Sequence, residues 1–180
     1  MPSVRQLCRF QPVEQLMSFY KTVLSSPVGE ILLISDGENL TALRLKGQTP
    51  DTTAEKAVSN DDLPVFLKTK DWLSRYFAGQ TTPPDELPLK PAGNAFCQRV
   101  WAILREIPYG ETTTYGAIAR QIESETGKRM AAQAVGGAVG RNPIAIVIPC
   151  HRVLGANGKL TGYAGGLPLK TALLEIEKIL

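Results

Sequence analysis

The chain has 180 residues, of which 43% are hydrophobic and 21% charged, and its formal net charge is +3. This length and composition suit one ordinary domain or two small ones, and they argue against a disordered or fibrous protein. The longest apolar run, residues 144–149, is far shorter than the roughly 20 residues of a membrane-spanning helix. The first ten residues lack the pattern of a signal peptide, so we expect a cytoplasmic protein with no membrane partner.

The first half of the chain is expected to contain a sheet and one covering helix. Strand-forming segments alternate with turn residues, including the tight-turn pair Asp36-Gly37. Residues 48–63 are polar and predict a loop. Apolar residues at helical spacing predict a helix over 64–77 that ends at Gly79. The expected strands cover 19–24, 30–35 and 40–45.

A proline-rich segment, residues 81–93, is interpreted as a linker between two domains of residues 1–90 and 91–180. The first domain carries 10 basic and 11 acidic residues, a net charge of −1, and the second carries 10 and 6, a net charge of +4. A modest basic excess is most often a solvated surface, so motifs have to decide whether the second domain meets nucleic acid.

The second domain is predicted to be mainly helical. An apolar stripe indicates a helix from Phe96 to a break at 107–110. A threonine cluster offers N-caps for a helix that begins near Tyr115, and Gly127 closes the turn before a further helix over 129–139. Two short helices around such a turn match the outline of a helix-turn-helix, although most such pairs only pack together.

The later of these two helices consists almost entirely of small residues, with the long polar side chain of Gln133 among them. Readers of the major groove usually display several long polar side chains to the bases. Two interpretations stay open at this point. The small residues allow close packing between helices, or they allow the helix to lie along the narrow minor groove of DNA, with Gln133 entering the base stack.

Cys150 and the only histidine of the chain, His151, are adjacent. The strand-like apolar run 144–148 would deliver this cysteine to a turn, on a rigid support that suits a nucleophile. A neighbouring imidazole and a neighbouring cation such as Arg152 favour the thiolate and thereby lower the pKa of a thiol. Taken alone, His151 could be a core residue, and Arg152 a surface charge or a clamp on backbone carbonyls. The other two cysteines, Cys8 and Cys97, are interpreted as small buried hydrophobic residues.

The segment Ile148-Pro149-Cys150-His151-Arg152-Val153 resembles the active-site motif of the O6-alkylguanine-DNA alkyltransferases, also called methylated-DNA–protein-cysteine methyltransferases. Further matches follow in the family's order, densely over 94–180 and only in outline over 1–90. They include Phe96, Val100-Trp101, Ile107-Pro108, Gly110, Thr112, Tyr115, Ala134-Val135-Gly136, Asn142-Pro143 and residues 162–167, followed by Lys170, Leu173-Leu174 and Glu177. The resemblance implies an α+β fold, in which a small ribonuclease-H-like domain with a mixed sheet precedes a mainly helical domain with a winged-helix-like helix-turn-helix.

The resemblance also implies the reaction. Cys150 would attack the alkyl carbon on O6 of guanine and keep the alkyl group as a thioether, so each molecule would act once. His151 would take the thiol proton by way of a water, and Glu177 would orient the imidazole. Asn142 would hold the active-site turn, and Tyr115 would give the leaving guanine a proton or hydrogen bond. The preference between methyl and larger alkyl groups, and for O4-alkylthymine, stays open.

The lesion base would be held by one aromatic ring and by main-chain groups. Tyr163 would stack on the base, and the main chain near Cys150, Val153 and Ala164 would read its edge, with Lys170 assigned to the same site. No cofactor is implied. The first domain contains one cysteine and no histidine, so the zinc site of some relatives cannot be built there and we predict no metal.

The implied partner is double-stranded DNA that contains O6-alkylguanine, bound through its minor groove by a monomer. Whether several copies bind side by side stays open. The target carbon faces the partner base in a duplex, so the nucleotide must be flipped out. The family usually fills the vacated stack with arginine, and this chain has Gln133, which predicts somewhat weaker DNA binding, or help from Arg129 or Arg141, rather than loss of repair. The residues assigned to DNA contact are Thr114, Arg129, Gln133, Ala134, Gly136, Arg141 and Arg152.

Two other functions compete with alkyl transfer. A non-catalytic lesion binder related to this family would lack the nucleophilic cysteine, whereas Cys150 is present. A cysteine hydrolase would need an acyl-enzyme that turns over and an oxyanion hole. The sequence gives no reason why such an enzyme would have a DNA-binding face.

Overall fold

The computed structural model describes residues 18–48 and 52–180, so Cys8 lies outside the described residues. Its strands are β1 (Tyr20–Ser26), β2 (Gly29–Ser35), β3 (Leu40–Leu45), β4 (Val58–Ser59), β5 (Thr113–Thr114) and β6 (Val153–Leu154). Its helices are α1 (Thr52–Lys56), α2 (Pro64–Phe77), α3 (Ala95–Arg105), α4 (Tyr115–Thr126), α5 (Ala132–Gly140) and α6 (Leu167–Ile176). Within the described residues, no helix combines the length and the apolar character that crossing a membrane requires.

The N-terminal half is a four-stranded mixed sheet in the order β3-β2-β1-β4. The three predicted strands are confirmed as an antiparallel meander, and the Asp36 carboxylate caps the tight turn by accepting hydrogen bonds from the backbone of Glu38 and Asn39. The predicted helix is confirmed as α2, whose apolar face packs against the sheet because its buried residues recur at helical spacing.

The predicted polar loop over 48–63 is wrong. Residues of this stretch form α1 and β4, and β4 pairs in parallel with β1 through Val58 opposite Tyr20. The two residues of β4 are exposed and too few to show an alternating apolar pattern. Only their pairing with β1 in the folded protein makes them a strand. This parallel pair is what makes the sheet mixed.

The proline-rich segment, predicted to be a linker, is bonded to the N-terminal half rather than being a free linker between the two halves. The backbone around Leu89 pairs with Leu40 at the start of β3, through Leu40 N to Pro88 O at 2.8 Å and Lys90 N to Leu40 O at 2.9 Å. The indole of Trp72 in α2 donates to Pro83 O at 2.9 Å. The segment is therefore fastened both to the sheet and to the helix that covers it.

The C-terminal half is mainly helical, as predicted. The Asn94 side chain caps α3 and the Thr114 side chain caps α4, while Gly127, at φ 67°, ends α4 in the left-handed conformation. Helix α5 begins at Ala132, three residues later than the predicted start at Arg129. The indole of Trp101 in α3 donates to Ala138 O of α5 at 2.9 Å. Helix α3 thus packs against the helix pair formed by α4 and α5.

The prediction of a strand over 144–148 is wrong. The segment is almost completely buried but irregular, and only Ile144 forms an isolated bridge, to Leu43 of β3. Ile146 has a φ of 67°, an uncommon and strained conformation for a β-branched residue. The apolar run reflects burial on all sides rather than sheet pairing, and it turns the chain toward the end of α6.

Candidate active site

Cys150 begins a single 3₁₀ turn, Cys150–Arg152, directly after the buried irregular segment. The Asn142 side chain fixes this approach from both sides. Its amide nitrogen donates to Ile148 O at 2.7 Å, and its oxygen accepts from Ile144 N at 3.0 Å. Because both partners are backbone groups, the position of the cysteine is set by the fold rather than by its own side chain.

The cysteine lies at the wall of a cavity of about 390 Å³. Tyr115 at the start of α4, Tyr163 and Ala164 also line this cavity, and Gln48 contributes a wall from the N-terminal half. The short parallel pair of β5 and β6 places Tyr115 beside the segment that follows Cys150. A volume of this size, lined mainly by apolar atoms with a few polar groups, suits a small ligand.

Cys150 is only 6% exposed, and burial raises the pKa of its thiol above the ordinary value. The largest interactions that oppose burial come from the Asn142 amide and the Lys170 ammonium, followed by a backbone hydrogen bond and the Tyr163 hydroxyl. The sequence prediction that His151 and Arg152 lower this pKa is therefore wrong. Neighbours in sequence diverge at the turn, and His151 and Arg152 point to the other side of it. The resting cysteine is a protonated thiol that needs a base.

His151 is completely buried, and its Nε2 lies 2.6 Å from Oε1 of Glu177. Its Nδ1 is also buried and has no hydrogen-bond partner among the described residues. Burial lowers the pKa of the imidazole against the opposing effect of Glu177, so the ring is neutral and its Nδ1 can accept a proton. Burial alone would raise the pKa of Glu177, but hydrogen bonds from His151 and Arg152 outweigh it and lower this pKa to about 2.

Arg152, which the sequence analysis assigned to DNA contact, is turned into the protein. It is 4% exposed, and its Nε donates to Oε2 of Glu177 at 2.8 Å while Nη1 donates to Ile107 O at 2.6 Å. The guanidinium thus clamps the carboxylate that contacts His151. The sequence by itself left open that Arg152 is a structural clamp on backbone carbonyls. The bond to Ile107 O fits that alternative in part.

Lys170, which the sequence analysis assigned to the same site as the lesion base, also points into the protein. Its side chain is fully buried, and Nζ donates to Val153 O at 2.6 Å and Thr161 O at 2.9 Å. It holds the main chain around the cavity without lining it. Val153 is likewise buried, does not line the cavity, and offers only its already shared carbonyl oxygen.

Both tyrosines that were assigned to the site meet at the cavity. The Tyr115 hydroxyl lies 3.4 Å from Thr161 O and 3.3 Å from Gly162 O. The Tyr163 hydroxyl is buried and faces the Cys150 thiol. Burial, followed by the charge of a Cys150 thiolate, raises the pKa of both tyrosines, so both stay neutral donors.

A second, open groove of about 660 Å³ runs along the outside of the helix pair. Gln133 and Gly136 of α5 line it together with Thr114 and Tyr115. Its other lining residues are Gly116, Arg120, Ala132, Ala156 and Asn157. Because Gly136 and Tyr115 line both the groove and the cavity, the two are adjacent.

The remaining residues assigned to DNA contact are spread more widely. Ala134, Arg129 and Arg141 are exposed, but Arg141 lines a different cavity together with Lys90. The Thr114 hydroxyl is occupied as the cap of α4, accepting from Ala117 N at 3.1 Å.

Sequence reasoning missed several residues that the fold brings to these two sites. Asn157 sits in a left-handed turn at φ 59°, and the Asn-Gly pair there is a turn signal that could have identified it. Arg120 and Gln48 carried no such signal. Among residues 18–48 and 52–180, no group of three or more histidine, cysteine or acidic side chains is placed to hold a metal ion.

Comparison with known proteins gives one consistent result. Residues 19–91 match the family model of the 6-O-methylguanine DNA methyltransferase ribonuclease-like domain, and residues 95–179 match that of the DNA-binding domain of the same enzyme. A methylated-DNA–protein-cysteine methyltransferase of Haemophilus influenzae is 46% identical over 91% of this chain and 89% of its own, and one of Mycobacterium bovis is 50% identical over 90% and 93%. The crystal structure of Mycobacterium tuberculosis OGT in complex with DNA is similar at a TM-score of 0.77 and 48% identity, over 88% of this chain and 92% of that one.

Proposed function

The chain belongs to the 6-O-methylguanine DNA methyltransferase family, and on that premise we propose that it repairs DNA by moving the alkyl group of O6-alkylguanine onto its own Cys150. One observation carries the proposal. A buried cysteine lies in a base-sized cavity beside the groove of a helix pair, with a neutral imidazole backed by a carboxylate at the same turn. The family relationship supports the α+β fold with a ribonuclease-like and a DNA-binding part, for which we keep residues 1–90 and 91–180 as the two domains.

The reaction follows from the charges at the site. Sulfur of Cys150 attacks the alkyl carbon, a carbon–sulfur bond forms, and the bond from that carbon to O6 of guanine breaks. The thiol proton passes by way of a water to Nδ1 of His151, whose positive charge Glu177 stabilises through Nε2. Tyr115 donates a hydrogen bond to the leaving guanine, which takes up one proton from solvent while the imidazolium of His151 releases one. Because the Cys150 thiolate is a poor leaving group from the alkyl thioether, the carbon–sulfur bond is not broken again and the protein acts once.

The cavity accounts for recognition of the base. A flipped guanine fits beside the Tyr163 ring, and the main chain near Ala164 offers polar groups to its edge. The apolar character of the cavity excludes water from the reacting carbon.

The groove beside the cavity is the proposed surface for duplex DNA, approached through the minor groove by a monomer. The small residues of α5 allow close approach, and Gln133 is exposed at the groove where it can enter the base stack. Arg120 and Asn157 replace Arg152 among the expected phosphate contacts. The free thiols of Cys97 and Cys150 fit the reducing cytoplasm as the place of action.

The test is a stoichiometric mass measurement. After incubation with duplex DNA that carries O6-methylguanine, the peptide containing Cys150 should gain the mass of one methyl group in place of a proton. Demethylated guanine should then stop accumulating at one equivalent per protein molecule. Tight lesion binding without a mass gain would favour a non-catalytic binder, and repeated turnover of an ester substrate would favour a hydrolase.

A charge at position 133 should strengthen DNA binding. Replacing Gln133 with arginine adds a cation beside the groove, so we expect tighter binding, faster repair at low protein concentration, and a salt dependence steeper by about 1 in the logarithmic slope. Titrations of lesion DNA at several salt concentrations measure this. Gln133→Met, which fills space without a charge, is the matched control and should keep the original salt slope. A fall in both affinity and repair rate for Gln133→Arg would refute the proposed deficit.

A further inference from the structure

We propose that Tyr76, supplied by α2 of the N-terminal half, is a positioning residue of the proton relay and keeps His151 in the form that accepts the thiol proton. The inference rests on the proposed function, because it assigns a further residue to the same site. The Tyr76 hydroxyl donates to Oε1 of Glu177 at 2.8 Å and lies 3.3 Å from Nε2 of His151. These atoms form a triangle with the 2.6 Å contact between Nε2 and Oε1.

The Tyr76 ring is rigidly held. It is completely buried and lies parallel to the indole of Trp72, with ring centres 5.7 Å apart and planes at 7°. Tyr109 and Phe77 contact it edge-on at 6.0 and 5.3 Å. Trp72 is itself fixed by its hydrogen bond to Pro83 O. The hydroxyl therefore occupies one place, and it excludes water from the contact between His151 and Glu177.

The hydroxyl acts on the charge of the imidazole in two ways. Tyr76, His151 and Arg152 all contact Oε1 of Glu177, and donors that share one oxygen compete. The Tyr76 hydrogen bond therefore weakens the pull of Glu177 on an imidazolium proton. Its bulk also keeps the pair dry, and a dry site disfavours the charged ring. Burial and the charge of Glu177 raise the pKa of Tyr76 well above its ordinary value, so it stays a neutral donor. Both effects keep Nε2 protonated toward Glu177 and Nδ1 free.

Groups from every neighbouring element face His151 and influence its charge, and Tyr76 acts in addition to them. Glu177 favours the imidazolium, whereas Arg152 and Lys170 oppose it. The groups packed around the relay are Tyr76 of α2, Tyr109 of the loop after α3, Cys150 and Arg152 of the 3₁₀ turn, Tyr163 of the cavity wall, Lys170 of α6 and Glu177 after α6. Of these, Tyr76 is the one contributed by the N-terminal half, so that half completes the catalytic site rather than only supporting it.

The test uses Tyr76→Phe in the full chain, which keeps the ring and removes the hydroxyl. Since His151 is the only histidine, nitrogen-labelled histidine gives one imidazole signal in nuclear magnetic resonance. We expect its titration midpoint, and the acid limb of the pH profile for single-turnover methyl transfer, to move upward together by about one unit. The rate below that limb then falls about tenfold, as a one-unit shift requires. Near pH 8 the rate should stay within about twofold of the original protein, because the imidazole is neutral there in both.

Tyr109→Phe is the matched control, because that hydroxyl donates to the backbone oxygen of Ile176 and contacts neither His151 nor the Glu177 carboxylate. A purely structural role would destabilise both variants and move neither midpoint. An unchanged histidine titration in Tyr76→Phe would overturn the proposal. The titration needs no DNA, so it decides the role of Tyr76 even if the unmodified protein fails to remove methyl groups, an outcome that would count against the proposed function alone.

Discussion

Replacing Cys150 with serine is expected to abolish alkyl transfer, with no mass gain on the protein and no demethylated guanine above background. A hydroxyl at this position is a far weaker nucleophile than sulfur, and neutral His151 is too weak a base to ionise it. DNA binding should persist, since the groove along the helix pair does not include residue 150. The measurements are peptide mass spectrometry and lesion-DNA titration on the same preparation.

Cys97→Ala serves as the matched control for this prediction. Cys97 is a buried free cysteine of α3, so the variant loses a second thiol without touching the cavity. It should take up one methyl group on Cys150 at the original rate. If the Cys150→Ser variant still removed one equivalent of methyl, another residue would be the acceptor and the proposed function would be wrong.

Replacing Glu177 with glutamine should have the largest combined effect on stability and rate. The variant leaves the Arg152 guanidinium buried without a counter-charge, which costs about 3–5 kcal/mol of unfolding free energy. It also removes the charge that stabilises an imidazolium at His151, so methyl transfer should slow by at least about 100-fold. Urea unfolding and single-turnover kinetics at neutral pH measure the two losses separately.

The pH dependence of stability checks the same assignment. The pKa of Glu177 is lowered to about 2 from 4.5, so its contribution is present above the unfolded value and is lost as pH falls from about 4.5 toward 2. That loss amounts to about 3 kcal/mol in the original protein. Burial lowers the pKa of His151, so its protonation in the unfolded chain adds to the same acid destabilisation below about pH 6.5.

Glu177→Gln should lack the acid-dependent loss that belongs to the carboxylate. Glu86→Gln is the control, because Glu86 pairs with Arg75 at the exposed surface and its removal should cost at most about 1 kcal/mol. Equal destabilisation by the two variants would show that Glu177 is not part of a buried charge network in solution.

The fold could be predicted where the sequence pattern is local. The periodic apolar residues of α2 and the turn residues between β1, β2 and β3 determine those elements directly, so their prediction is confirmed. The strand prediction for residues 144–148 was wrong because an apolar segment buried on all sides has the same composition as a central strand. Only the bridge to Leu43 and the positive φ of Ile146 distinguish the two.

The sequence by itself determined the chemistry, because a cysteine and the only histidine stand together in a specific motif and Glu177 follows in the matching order. Tertiary structure alone decided how those groups face one another. It turned Arg152 inward to Glu177, gave Lys170 to backbone carbonyls, and brought Tyr76 to His151 across 75 positions of the chain. The reason is physical: a residue type specifies which bonds a side chain can make, whereas burial and long-range packing specify which partner is within reach.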